Sequence, residues 1–220
     1  MRRFPILAVA AAVAVLSTGA VAQAVQYEID PVHSSAQFSV RHMMVSNVRG
    51  EFAKLSGTVV YDPKNLKASS VEATIDATSI NTHEPKRDED LKSADFFDVA
   101  KYPTLTFKSK QVEKAGEGKL RVTGDLTMHG VTKEVVLEVE GPTPEVKIGK
   151  NMKSGASATT TINRTDFGIV WNRVLEGGGV MVGDEVKITL EIEMGRKVVP
   201  EPAKGGAGRP STGGASKNAR

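Results

Sequence analysis

With 220 residues, 29 Lys and Arg against 26 Asp and Glu, 40% hydrophobic residues and no cysteine, the chain cannot be a disulfide-braced scaffold or carry a cysteine-linked lipid. Its excess of base belongs to the two ends: residues 23 to 195 hold 21 basic and 25 acidic side chains, a net charge of −4. A mildly acidic folded part argues against a nucleic-acid partner.

The first segment reads as an address. Arg2 and Arg3 precede an apolar run from Ile6 to Leu16, and small residues follow through Ala20, Ala22 and Ala24. This is the pattern of a secretory signal peptide over residues 1–22, with cleavage after Ala22 or Ala24 fitting about equally. The apolar run is about half the ~20 residues a spanning helix needs. The expected location is therefore periplasmic or secreted.

Residues 25–195 are long enough for one domain with a sizeable core. A short strand is expected near Tyr27 to Asp30, and then apolar residues recur at every second position. Ala36, Phe38 and Val40 alternate with Ser35, Gln37, Ser39 and Arg41; the sets Ala53, Leu55, Gly57, Val59, Tyr61 and Val71, Ala73, Ile75, Ala77 follow. Beyond Leu105 and Phe107, the same period runs through Leu120 to Met128, Val131 to Val139, Ala156 to Ile162 and Val186 to Met194. Each run predicts a strand buried on one face. His129-Gly130 and Ala115 to Gly118 predict tight hairpins, and no helix of crossover length separates strands. The expected fold is all-β, an antiparallel barrel of about eight strands in preference to a sandwich, because strands of ten or more residues make long staves. Many inward residues are small (Ala36, Ala53, Gly57, Ala73, Ala77, Gly124, Ala156, Ala158). At eight strands, a packed interior and a ligand-filled one both remain open.

One segment breaks the pattern. His83 to Pro103 carries ten charged residues among 21, and predicts a short helical and loop insertion over the barrel. Asp95 is the expected cap of a helical turn through Phe96, Phe97, Asp98 and Val99, with Pro103 ending the segment. Phe96 and Phe97 cannot share one narrow face, which suits a lid or plug. The last segment, residues 196–220, is rich in Gly, Pro and basic residues and predicts a disordered tail, a solvated end with a transient membrane-surface contact as its sharper reading.

Catalytic signatures are absent: His83-Glu84 lacks the second histidine of a zinc protease, and there is no nucleophile elbow or phosphate loop. His33 and His42 lie nine residues apart, so on a regular strand they face opposite ways and make poor joint ligands for a metal.

Four strings, Asp30 to Phe52, Arg87 to Phe107, Gly124 to Val135 and Phe167 to Ile169 with Val182 to Ile188, resemble the YceI-like family over about Tyr27 to Met194. The resemblance implies an exported, lipocalin-like barrel that binds polyisoprenoids and related amphiphiles without catalysis. It implies no required cofactor, the expected cargo being an isoprenoid lipid or quinone. Glu134 departs from the proline common at that place in the family, and it is expected to face outward. On strand parity, Phe38, Val40, Phe107, Val122, Leu137 and Ile188 are the expected cavity wall. His42, Arg87, Lys92, Phe96, Phe97 and Trp171 are the expected mouth and lid. An enzyme acting inside the cavity and a ligand-free structural or stress domain are the competing readings, and the oligomeric state, a dimer included, is left open.

Overall fold

The computed structural model describes residues 24–198. The signal segment 1–22 and the tail beyond Val198 lie outside the described residues. Alternation along each strand becomes a ring of twelve strands. They are β1 (Val25–Ile29), β2 (Ser35–His42), β3 (Ser46–Phe52), β4 (Leu55–Tyr61), β5 (Ser70–Asp76), β6 (Ile80–Asn81), β7 (Thr104–Gly116), β8 (Lys119–Met128), β9 (Val131–Glu140), β10 (Val146–Ile148), β11 (Asn151–Asn163) and β12 (Val182–Lys197). All pairings between them are antiparallel, in the order β10-β11-β9-β8-β7-β5-β4-β1-β12-β2-β3-β6, and β11 pairs with β12 to close the barrel.

Twelve strands make eight staves because four staves are broken in two, one of them into β9 and β10, which lie in line against β11. β1 and β2 lie in line against β12, β3 and β4 lie in line against them, and β5 with β6 forms the third. At two of the breaks a serine hydroxyl replaces the missing backbone partner. Ser34 Oγ donates to the Glu193 carbonyl (3.1 Å) and accepts from the Glu193 amide (3.0 Å). Ser79 Oγ accepts from the Lys54 amide (3.1 Å), while the Ser79 carbonyl accepts from Ala53. The ladder thus continues across each kink with few orphaned groups.

The expected hairpins form. His129 and Gly130 both have positive φ, the two-residue turn that matches strand twist, and Tyr102 packs against them. Several expectations need correction. Alternation does not mark β3, whose Val48, Gly50 and Phe52 alternate inward only weakly, nor the short β10. Ala53 falls at the β3–β4 kink and is exposed. The insertion's helix is α1 (Pro85–Lys92), not a turn capped by Asp95. Glu84 caps it by accepting from the Lys86 amide (3.1 Å), Pro85 occupies its first turn, and Asp88 and Lys92 suit its two ends. Phe96 to Val99 follow in turns that fold back on it, with Phe97 donating to the Leu91 carbonyl and Val99 to Lys92.

The first end of the barrel holds the β2–β3 hairpin, the insertion, the β8–β9 hairpin and the loop between β11 and β12. The second end holds the start of β1 and the end of β12. There Tyr27 donates to Glu145 (2.8 Å), and Arg196 clamps the same carboxylate with both arms (2.7 and 2.8 Å). β12 therefore stays ordered to Lys197, two residues into the segment expected as tail.

Removing the Ser34 hydroxyl leaves the Glu193 amide without a partner, while the Glu193 carbonyl keeps the Asp30 amide at 2.8 Å, so Ser34→Ala should lower stability by about 1–2 kcal/mol in urea unfolding, with the m-value unchanged. At the same corner Lys153 sits 2.6 Å from Asp30 and holds that carboxyl well below the usual carboxylate range. A carboxylate lowered by folding stabilises above its unfolded value of about 3.9 and loses that contribution as pH falls toward its folded value. Asp30→Asn should therefore flatten the fall in stability below about pH 4, measured by acid titration of circular dichroism, relative to the unsubstituted protein.

Candidate functional site

The inward faces of the staves do not meet in the middle. One buried cluster gathers Phe52, Ala77, Ile80, Leu105, Met128, Ile162, Phe167 and Ile169 toward the first end. A second gathers Val112, Leu120 and Val122 toward the other. Along the axis runs a cavity of about 260 Å³, bounded by Leu91, Phe96 and Phe97 at the first end and reaching Tyr61, Ser69 and Pro142 at the second. Small residues create it: Ala36, Ala73, Ala156 and Ala158 all line the space. Glycines widen it further by letting aromatic rings lie flat on the wall. A Cβ on Gly124 would sit 2.6 Å from the Phe107 ring, and one on Gly50 2.5 Å from Phe38.

All six residues expected in the wall, Phe38, Val40, Phe107, Val122, Leu137 and Ile188, line the cavity, and so do Phe96 and Phe97. Phe97 meets Phe52 edge-on at 5.5 Å, and Phe96 packs on Trp171 at 5.3 Å. The two rings thus wedge in different directions, as their adjacency requires. The polar mouth expected from sequence is not assembled. Arg87 is spent inside the insertion, where its Nε and Nη2 donate to the Thr82 hydroxyl and carbonyl (2.8 and 2.9 Å). Lys92 pairs with Glu89 at 3.1 Å, a partner one helical turn away. His42 ends β2 opposite Ser46 and Val182, outside the lining, and Trp171 backs Phe96 without lining the space.

The charged residue that does reach the cavity was not foreseen. Arg164 follows β11, is 4% exposed, and lines the first end. Burial pushes its guanidinium down from its ordinary value, and Asp184 opposes that shift. Its five donors are taken by the carbonyls of Gly183, Ile169, Trp171 and Val182 and by the Asp184 carboxylate, at 2.7 to 3.3 Å. A planar fork with every N–H engaged is a strut that ties the loop after β11 to the start of β12, and it has nothing left to offer a ligand. No sequence pattern announces such a residue, because its partners are backbone carbonyls brought together only by folding. Leu91, in the last turn of α1, was likewise missed; it carries the helix's contact with the cavity.

The lining contains no Asp, Glu, His, Lys or Cys. Among the described residues no buried side-chain polar atom lacks a partner. What the space can do chemically is take up apolar surface. Asp30, His33 and Glu193 come within ligand distance of one another on the outside of the barrel, but Lys153 already stands between the two carboxylates at 2.6 and 2.9 Å. That group is an ion-pair corner whose cation is a lysine. Glu134 faces outward and meets Lys110 at 3.2 Å.

Three likenesses bear on this arrangement. A UPF0312 protein of Vibrio cholerae is 41% identical over 158 residues, which span 71% of this chain and 84% of that relative. The crystal structure of a Campylobacter jejuni YCEI protein is 32% identical and superposes with a TM-score of 0.61, covering 71% of this chain and 90% of that one. A polyisoprenoid binding domain from Saccharophagus degradans has the same fold, with a TM-score of 0.55 at 17% identity over 76% of this chain and 97% of that one. The family model described as the YceI-like domain matches residues 27–194, from the first buried residue of β1 to the last of β12, and the chain belongs to that family.

Proposed function

We propose that this protein is an exported carrier or store that holds the isoprenoid chain of a quinone or polyprenyl lipid inside its barrel, without catalysis or a required cofactor. The observation that carries the reading is the cavity itself: about 260 Å³ of space whose wall is apolar on every stave and whose one charged neighbour, Arg164, is saturated. A long hydrocarbon is the cargo such a space selects. Burying about 300 Å² of chain at ~25 cal/mol per Å² contributes on the order of 7 kcal/mol before ordering costs, so few polar contacts are needed. The volume is near the lower bound of ordinary ligand pockets, about 300 Å³, which favours a slender chain over a bulky ring system. The name of the Saccharophagus domain supports the ligand class, and the signal-peptide pattern read in residues 1–22 supports a periplasmic or secreted site of action.

Organic extraction and mass spectrometry of protein purified without detergent test the reading. A stoichiometric isoprenoid amphiphile is the expected result. A ligand-free protein that also fails to take up added isoprenoid quinone would overturn it in favour of a structural domain, and recovery of chemically altered quinone would overturn it in favour of an enzyme.

Filling the space should compete with cargo. Ala156→Phe projects a ring into the cavity and is expected to reduce retained ligand at least ~10-fold, with thermal stability of the ligand-free form equal or raised. In a packed interior the same change would instead cost about 1–3 kcal/mol by overpacking, so calorimetry separates the two.

A further inference from the structure

The first end of the barrel carries the most exposed group of large apolar residues near the cavity. Two hairpin tips stand side by side there. One is the β2–β3 turn, Met43-Met44-Val45. The other is the loop from Val170 to Met181, itself a hairpin through a Val174–Val180 bridge and a Leu175-to-Gly179 hydrogen bond. They are joined: the Met43 amide donates to the Met181 carbonyl at 2.7 Å, and Gly179 lies against the Met44 side chain. Val45 is 76% exposed, Val174 78%, Val170 66% and Met44 51%, so two joined tips gather exposed apolar side chains at one end of the barrel.

The backbone makes the patch harder to dismiss. Met43 and Met44 both have positive φ, 48° and 61°, the conformation for which a two-residue hairpin turn normally selects Asn or Gly. Methionine at both positions is disfavoured locally, and both side chains stay about half exposed in the free protein.

Position and composition select the occupant. The chain's one tryptophan, Trp171, sits in the second tip and packs on Phe96, which lines the cavity, so the patch and the cavity's first end share a wall. Arg41, whose guanidinium donates to the Met44 carbonyl, and Arg173 stand at the bases of the two tips; Glu176 is the single acid in residues 41–46 and 170–181. Apolar tips, an amphipathic indole behind them and arginines at their base match the boundary between headgroups and acyl chains of an anionic bilayer.

We infer that the paired tips dock on an anionic lipid bilayer, which presents the Phe96 end of the barrel to the membrane from which cargo is drawn. The inference rests on the cargo reading above. Its test uses the chain from Ala24 to Arg220 and vesicles of phosphatidylethanolamine and phosphatidylglycerol. The basic tail is present in every form, so it cannot produce a difference between them. Met44→Asp with Val174→Asp places charge on both tips, and Asp tolerates the left-handed backbone. Val32→Asp is the control, since Val32 is 81% exposed on the β1–β2 loop away from the tips.

The tip variant should float with vesicles on the order of tenfold less than the unsubstituted protein, and the control should float equally. Trp171 emission should shift to the blue on vesicle addition in the unsubstituted and control proteins and stay unshifted in the tip variant. All three should retain extracted ligand equally. Equal flotation of tip variant and control overturns the inference, as does an unshifted Trp171 in the unsubstituted protein. A tip variant that turns a dimer into a monomer in light scattering also overturns it, since the patch would then belong to a second copy. Tip-dependent flotation with no ligand in any form overturns the cargo reading alone.

Discussion

Thirteen backbone pairings between β11 and β12, from Asn151 opposite Lys197 to Asn163 opposite Glu185, turn an open sheet into a ring. Once the ring is closed its girth is set by eight staves, and the width of the interior no longer depends on how well side chains fill it. In a two-layer sandwich, small inward residues would let the layers approach. Here they cannot, and Ala36, Ala73, Ala156 and Ala158 leave space along the axis. The cavity is therefore a consequence of closure acting on small residues.

The two ends of that ring are closed by different physics. At the second end Tyr27, Glu145 and Arg196 form a charge-assisted, bidentate hydrogen-bonded clasp whose geometry admits few alternatives. The first end is closed by Leu91, Phe96 and Phe97, which lose no hydrogen bond when they turn aside and can be replaced by any other apolar surface, a hydrocarbon chain included. The insertion that carries them is held at its base: Asp88 and Arg87 both bind Thr82, which fixes α1 while leaving the rings beyond it free of polar ties. A firm base under an apolar stopper makes the first end the one that can open at the lower cost in hydrogen bonds.

Much of this could be read from the chain because strand faces differ in polarity. In β8 and β9 the inward Val122 and Leu137 alternate with outward Arg121 and Glu138, which pair across the strands at 3.0 Å, so both faces carry a signal. β3 was illegible since Gly50 stands where an inward apolar residue should be, and its purpose, room for the Phe38 ring, exists only after β2 pairs beside it. The insertion stands out by its charge, but its helix starts at Glu84-Pro85 and not at Asp95, because Phe96 to Val99 fold back on the last turn of α1 through Leu91 and Lys92. Arg87 and Lys92 were expected at the mouth on charge alone. Both had partners within five residues along the chain able to satisfy them, and local partners win over distant ones when the alternative is an exposed, flexible reach.

The ring is not equally strong all round. β9 pairs with β11 only where Glu138, Val139 and Glu140 oppose Thr159, Ala158 and Ser157. Toward the first end the two strands diverge, and the turn from Arg164 to Phe167 packs between them, with the Phe167 carbonyl meeting His129 at 3.1 Å. There the wall is held by the packing of Val131, Val135, Ile162 and Phe167 in place of a backbone ladder. Segments lacking ladder hydrogen bonds open locally at lower free energy than paired strands. Arg164 anchors this same turn through five hydrogen bonds, so the weak seam is tethered at one point and loose along its length. A chain too thick for the resting cavity would be accommodated there first, beside the apolar stopper, while the clasp at the far end keeps its shape.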